Sequence, residues 1–119
     1  MTNNGNFSAY QVKLQQGTFQ GTVRDVSATI LPGHEVLIKV EYSSLNYKDA
    51  LSARGLKQVT KNYPHIPGID AAGTVLADKT GTFKPGSKVI VTGYDLGTNT
   101  SGGWGTRICV PASWVVELP

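Results

Sequence analysis

Cysteine is nearly missing. Cys109 is the single one in 119 residues, so neither an internal disulfide nor a cysteine-cluster zinc or iron–sulfur site can form. Histidine is almost as scarce, with only His34 and His65. A catalytic zinc usually takes three side chains from His, Cys, Asp and Glu, and these three residues are too scattered for a site local in sequence. No stretch approaches the roughly 18 apolar residues of a membrane-spanning helix. The segment Met1 to Asn6 has neither the basic nor the apolar region of a secretory signal. Charge of one sign is also lacking: 11 Lys and Arg against 8 Asp and Glu leave a net charge of +3, too little and too dispersed to mark a nucleic-acid surface. Together these absences predict a chain of the reducing cytoplasm with neither nucleic acid nor membrane as a partner.

The strings that cradle phosphates are absent as well. No G-x-G-x-x-G occurs, and Gly103-Trp104-Gly105 stops short of it. Gly68 to Gly73 has the spacing of a P-loop but continues as Thr74-Val75, where Lys and Ser or Thr are required. The chain carries no self-contained nucleotide-binding unit.

What is present in excess is glycine, 14 residues, well above the usual ~7%. With one core's worth of apolar residues, this predicts a single folded domain rich in turns. Tyr10, Val12 and Leu14 alternate on one strand face, and Gly17 to Val26 reads as the returning arm of a hairpin. Val36 to Tyr42 is the strongest strand, with Val36, Ile38, Val40 and Tyr42 facing one way and Lys39 and Glu41 the other. A short helix is expected at about 47 to 54, stopped by Gly55. The polar connection Gly55 to Pro67 is expected on the surface or along a cleft, kept extended near its prolines. Strands resume at Ala71 to Leu76, Lys88 to Thr92, Thr106 to Val110 and Trp114 to Leu118, with a type II turn signature in Phe83-Lys84-Pro85-Gly86. Strands do not alternate with long helices, so a doubly wound parallel sheet is excluded in favour of a mainly β fold, a small barrel or sandwich with one helix. Residues 1–8 are expected as a flexible N-terminal tail and 9–119 as the domain.

Two places combine polar groups with apolar surroundings. Asn46-Tyr47-Lys48-Asp49 presents an amide, a phenol, an ammonium and a carboxylate at a strand-to-helix corner. The same residues also serve helix initiation, with Asn46 or Ser44 as the cap. Asp70, in Pro67-Gly68-Ile69-Asp70-Ala71-Ala72-Gly73, is a carboxylate among small and apolar residues; it reads either as a site residue or as a turn carboxylate held by nearby amides. His34 and His65 read as exposed loop histidines, and Cys109 as a buried, inert thiol.

In chain order, Ser43-Ser44-Leu45-Asn46-Tyr47-Lys48-Asp49-Ala50-Leu51, Pro67 to Val75, Phe83 to Val89, Gly102-Gly103-Trp104, Val110-Pro111 and Leu118-Pro119 resemble one family. It is the GroES-like catalytic domain of the medium-chain dehydrogenase/reductase superfamily, in its zinc-free acryloyl-CoA reductase and quinone-oxidoreductase-like branch. The resemblance implies a GroES-like, partly open β-barrel with one or two short helices. Zinc-dependent relatives have a cysteine at the position of Asn46 and a His-Glu pair at Ile69 and Asp70, so no zinc is implied here. NADPH is implied as cofactor and an enoyl thioester or quinone as substrate, with hydride delivered to an activated double bond. By the same resemblance Tyr47 donates a proton or polarises a carbonyl, Asn46 bonds substrate or cofactor, and Asp49 and Asp70 orient their neighbours. Asn46, Lys48 and Trp104 are expected toward the cofactor. Lys48, Arg54, Lys57 and Lys61 either meet phosphates or form an ordinary solvated face. Relatives carry a Rossmann domain beyond this region, and its absence from the 119 residues leads to two expectations. One is the catalytic portion of a reductase, inactive as a lone chain and needing a Rossmann partner in trans; the other is a stand-alone binding or assembly module without enzymatic activity. A homo-oligomer is expected to cover the surface left open.

Overall fold

The computed structural model describes residues 5–119. Seven strands are found among them: β1 (Asn6–Gln15), β2 (Thr18–Ser27), β3 (Val36–Tyr42), β4 (Asp70–Asp78), β5 (Lys88–Thr92), β6 (Arg107–Val110) and β7 (Val115–Glu117). The one α-helix among them is α1 (Tyr47–Ala53), with short 3-10 turns at Ala28–Ile30 and Ala112–Trp114. Strand accounts for 45% and helix for 11%, and the sheets do not close into a barrel. This is the mainly β, partly open architecture expected. Asn6 to Ser8, expected in a tail of residues 1–8, belong to β1, and Phe7 is 4% exposed; residues 1–4 lie outside the described residues.

β1 and β2 form an antiparallel hairpin whose two-residue turn places Gln16 at φ 51° and Gly17 at φ 82°, the mirror-image turn that matches strand twist. The other five strands form one antiparallel sheet in the order β6-β3-β4-β5-β7. β3 lies between β6 and β4, and its first three residues, Val36 to Ile38, are buried on alternate faces. Val36 and Ile38 enter a core with Val75, Val89, Val91, Ile108 and Val110, while Leu37 enters a second core with Phe7, Val26, Ile66 and Cys109. Cys109 is buried, as expected of an inert thiol.

Several expected faces differ. The register shifts between Val40 and Tyr42 against β4, and Tyr42, still paired with Ala72, is 76% exposed instead of lying over the core. In β1 the buried residues are Phe7, Ala9, Gln11 and Val12, while Leu14 is 55% exposed because it sits where the hairpin projects beyond the body. The connection after α1 is not wholly superficial: Thr60 and His65 to Gly68 are buried. His65 exchanges two backbone hydrogen bonds with Val12, so this segment packs on β1. The type II turn forms as expected, with Ser87 N donating to Lys84 O at 3.0 Å and Gly86 at φ 93°.

Candidate functional site

The end of β3, the start of α1 and the start of β4 meet at one corner. Asp49 is the third residue of α1 and is completely buried. One carboxylate oxygen accepts from Asn46 N at 3.0 Å and Asn46 Nδ2 at 3.3 Å, and the other accepts from Ile69 N at 2.9 Å. A buried carboxylate requires such donors, and here they tie the helix start to the residue preceding β4. Asp70, the first residue of β4, accepts from Ser44 Oγ at 2.8 Å on both oxygens, from Ser44 N at 3.2 Å and from Asn46 Nδ2 at 3.3 Å. Asn46 Nδ2 also donates to Ser44 Oγ at 3.1 Å. The two carboxylates thus flank one amide, 24 residues from it along the chain in the case of Asp70.

Trp104 joins from the opposite side. Its Nε1 donates to Ser44 O at 3.1 Å, and its ring meets Tyr10 edge-on at 5.5 Å between centroids. The ring lines an open groove of about 930 Å³ together with Tyr10, Val23, Tyr42, Leu45 and Ser44. A smaller recess of about 240 Å³ holds Ser44 and Asp70 beside Tyr42 and Ile90.

Of the residues expected at the site, Asn46, Asp49 and Asp70 converge, and Trp104 reaches them through the Ser44 carbonyl. Tyr47 opens α1 and is 80% exposed, without a side-chain hydrogen bond among the described residues. Lys48 is exposed on the same helix, and Arg54, Lys57 and Lys61 are exposed as well. Among the described residues no three of His, Cys, Asp and Glu are grouped to hold a metal ion.

Four glycines bring the corner together. Gly102 N, Gly103 N and Trp104 N donate to the carbonyls of Ile66, Gly68 and Pro67 at 2.8, 2.9 and 3.0 Å. A Cβ on Gly97 or Gly102 would run into the Gly68 carbonyl, and one on Gly103 into the Asp70 carbonyl. The glycine-rich stretch therefore serves backbone-to-backbone packing that sets Gly103 against Asp70 and Trp104 against Ser44. Ser44 was legible only as a helix cap, and this glycine packing had no local motif; the density of glycine from 93 to 105 was its one trace.

His65 is the clearest correction. It is 6% exposed, not a surface histidine, and its Nε2 donates to Gly97 O at 2.7 Å. Ile66 and Pro67 enter the interior with it, while Pro64 on its other side stays exposed. Burial holds its pKa below the ordinary 6.5, opposed in part by the bond to Gly97. The unfolded chain therefore takes up this proton first, and the contribution to stability is present above about pH 6.5 and lost as pH falls below it. Thermal melts are expected to show the midpoint falling between pH 7 and 5 in the wild type and a flatter dependence in His65→Gln. The lowered carboxylates Glu41 and Asp78 titrate below 4.5 and 3.8 and stay out of that window.

An antiparallel, two-core β body with a strand-to-helix corner facing an open groove defines a GroES-like domain. Residues 32–119 match the alcohol dehydrogenase GroES-like domain family, and the chain belongs to it. It is 43% identical over 105 residues to acrylyl-CoA reductase AcuI of Ruegeria pomeroyi, a match covering 88% of this chain and 32% of that protein. It is 31% identical over 97 residues to a quinone oxidoreductase of Lama guanicoe, covering 80% of this chain and 28% of that one. The yhdH oxidoreductase of Salmonella enterica, solved in complex with NADP, superposes with a TM-score of 0.89 at 39% identity, over 94% of this chain and 35% of that one. The chain spans about a third of the length of these relatives. No helix among the described residues is long and apolar enough to cross a membrane.

Proposed function

We propose that this chain is the substrate-facing part of a zinc-independent, NADPH-dependent reductase of activated carbon–carbon double bonds, with enoyl thioesters as the first substrate class and quinones as the alternative. The observation that carries this reading is the corner itself: Asn46 held between Asp49 and Asp70, with the exposed Tyr47 as the next residue of the chain. The names of the relatives support the reaction class, and the NADP complex of the Salmonella relative supports the cofactor.

The residues fit one end of NADPH. Trp104, Tyr42 and Leu45 offer an apolar wall beside the polar Ser44 and Asp70, which suits a planar nicotinamide ring. The glycines do not fit the pyrophosphate, since Gly97, Gly102 and Gly103 face backbone of Gly68 and Asp70. That end is assigned to a Rossmann domain, in the same protein or in trans.

When bound, NADPH supplies the hydride. Tyr47 donates a proton or a hydrogen bond to the substrate carbonyl, and Asn46 bonds substrate or cofactor through its amide. Asp49 and Asp70 hold that amide in place, while Lys48 and Trp104 face the cofactor. Without the second wall of the cleft the lone chain loses most of the proximity contribution and is expected to turn over little substrate. The exposed Tyr42, Leu45 and Val116 are the surface that a partner domain or a second copy would cover.

The test is titration of NADPH into the 119-residue chain, following nicotinamide fluorescence and tryptophan quenching, with Trp104→Phe to separate Trp104 from Trp114. Saturable binding with Kd below about 100 µM, some −5.5 kcal/mol, supports the reading, with the tryptophan quenching lost in Trp104→Phe. No binding at millimolar NADPH overturns it for this chain and favours a binding or assembly module without enzymatic activity.

A further inference from the structure

We infer that Ser44 is the positioning residue of the corner: through one hydroxyl and its own peptide groups it sets the Asp70 carboxylate, the Asn46 amide and the Trp104 indole relative to one another. The inference rests on the corner being the ligand-facing site.

Ser44 Oγ has one hydrogen and two lone pairs. It lies 2.8 Å from both oxygens of Asp70 and 3.1 Å from Asn46 Nδ2. An ionised carboxylate only accepts and an amide NH2 only donates, so the direction is forced: Asn46 Nδ2 donates to Ser44 Oγ, and Ser44 Oγ donates to Asp70. Each bond polarises the next, which strengthens the chain beyond its separate members. The main chain of the same residue adds two more ties. Ser44 N donates to Asp70 Oδ1 at 3.2 Å, and Ser44 O accepts from Trp104 Nε1 at 3.1 Å. Ser44 is thus bonded to β4 and to the glycine-rich loop, 26 and 60 residues away in sequence. It also lines both the groove and the smaller recess. The Tyr47 side chain, by contrast, makes no hydrogen bond among the described residues, so the orientation of this corner comes from Ser44.

Substitution separates the two sets of bonds. Ser44→Ala keeps the peptide N–H and carbonyl and removes the hydroxyl relay, while Ser44→Thr keeps both. Ser44 is exposed, so a melting midpoint close to wild type is expected for each variant. The readouts are the Asn46 side-chain NH2 pair in a 1H–15N correlation spectrum of the ligand-free chain and the dissociation constant for NADPH. Ser44→Ala is expected to shift and broaden the Asn46 pair and to weaken NADPH about tenfold, an effect of about 1.4 kcal/mol. Ser44→Thr is expected to restore both. Asp70→Asn, which leaves one acceptor oxygen and puts an NH2 where Ser44 Oγ and Asn46 Nδ2 donate, is expected to move the same NH2 pair and guards against a misfolded alanine variant. An unmoved Asn46 pair in Ser44→Ala and Asp70→Asn, or a threonine variant as weak as the alanine one, overturns the inference. If NADPH binds no variant and not the wild type, the reading of the site falls, while the amide spectrum still decides whether Ser44 orients Asn46.

Discussion

Asp49→Ala is expected to destabilise the fold by about 3 kcal/mol, because it strands the backbone N–H groups of Asn46 and Ile69. The Asp49 side chain is completely buried and accepts from Ile69 N, Asn46 N and Asn46 Nδ2. Alanine leaves the Ile69 and Asn46 backbone N–H groups without that acceptor. For a domain of this size the melting midpoint should fall by roughly 10 °C or more. Asp49→Asn retains one acceptor oxygen but turns an NH2 toward remaining donors, so an intermediate loss is expected. The check is a pair of thermal or urea melts, with the Asn46 side-chain NH2 pair followed in the same samples. A midpoint within 2 °C of wild type would show that Asp49 does not join α1 to β4. Loss of NADPH binding in the folded fraction of Asp49→Asn would tie the same bonds to the site.

Gly68→Ala is expected to be comparably severe, for a geometric reason. Gly68 sits at φ 115°, where a side chain is strained, and a Cβ there would lie 2.5 Å from Gly103 N and 2.6 Å from Trp104 N. Both are backbone atoms, one of them bonded to the Gly68 carbonyl itself, so no flexible group can move aside. Overpacking of this kind costs ~1–3 kcal/mol, occasionally more, with the positive φ adding to it. The expected result is a melting midpoint lower by roughly 10 °C, with Trp104 fluorescence shifted because the loop carrying it is pushed off the corner. Gly81→Ala is the control: its Cβ would meet nothing within 4 Å, and it shares a positive φ. If Gly68→Ala costs no more than Gly81→Ala, the close approach of the two loops is not what holds Trp104.

The local elements were readable because their signals are local. Val36–Tyr42 and Lys88–Thr92 coincide with β3 and β5, since β-branched residues in alternation leave little choice of conformation. α1 begins where the cap residues predicted, with Asp49 reaching back to Asn46 N. The face of Tyr42 was not readable, because a register shift against β4 decides it, and a shift depends on the partner strand. His65 failed for the same reason: prolines flank it in sequence, but Val12 of β1 and Gly97 of the loop take it into the interior. Sequence spacing also could not show which side of Asp70 would be bonded, or that Ser44 would be the residue to do it.

The chain's residues alone determined that it is a mainly β domain with a strand-to-helix corner, without a zinc site or phosphate cradle local in sequence. They also named Asn46, Asp49 and Asp70, because amides and carboxylates beside a helix start and in an apolar string are visible one position at a time. Only the tertiary structure decided that these groups form one network, that Ser44 joins it to Trp104 and that the glycines press two loops together. Such contacts join residues 24 to 60 positions apart; they exist only once the sheet has set the register, and no local pattern encodes which distant backbone a glycine must admit.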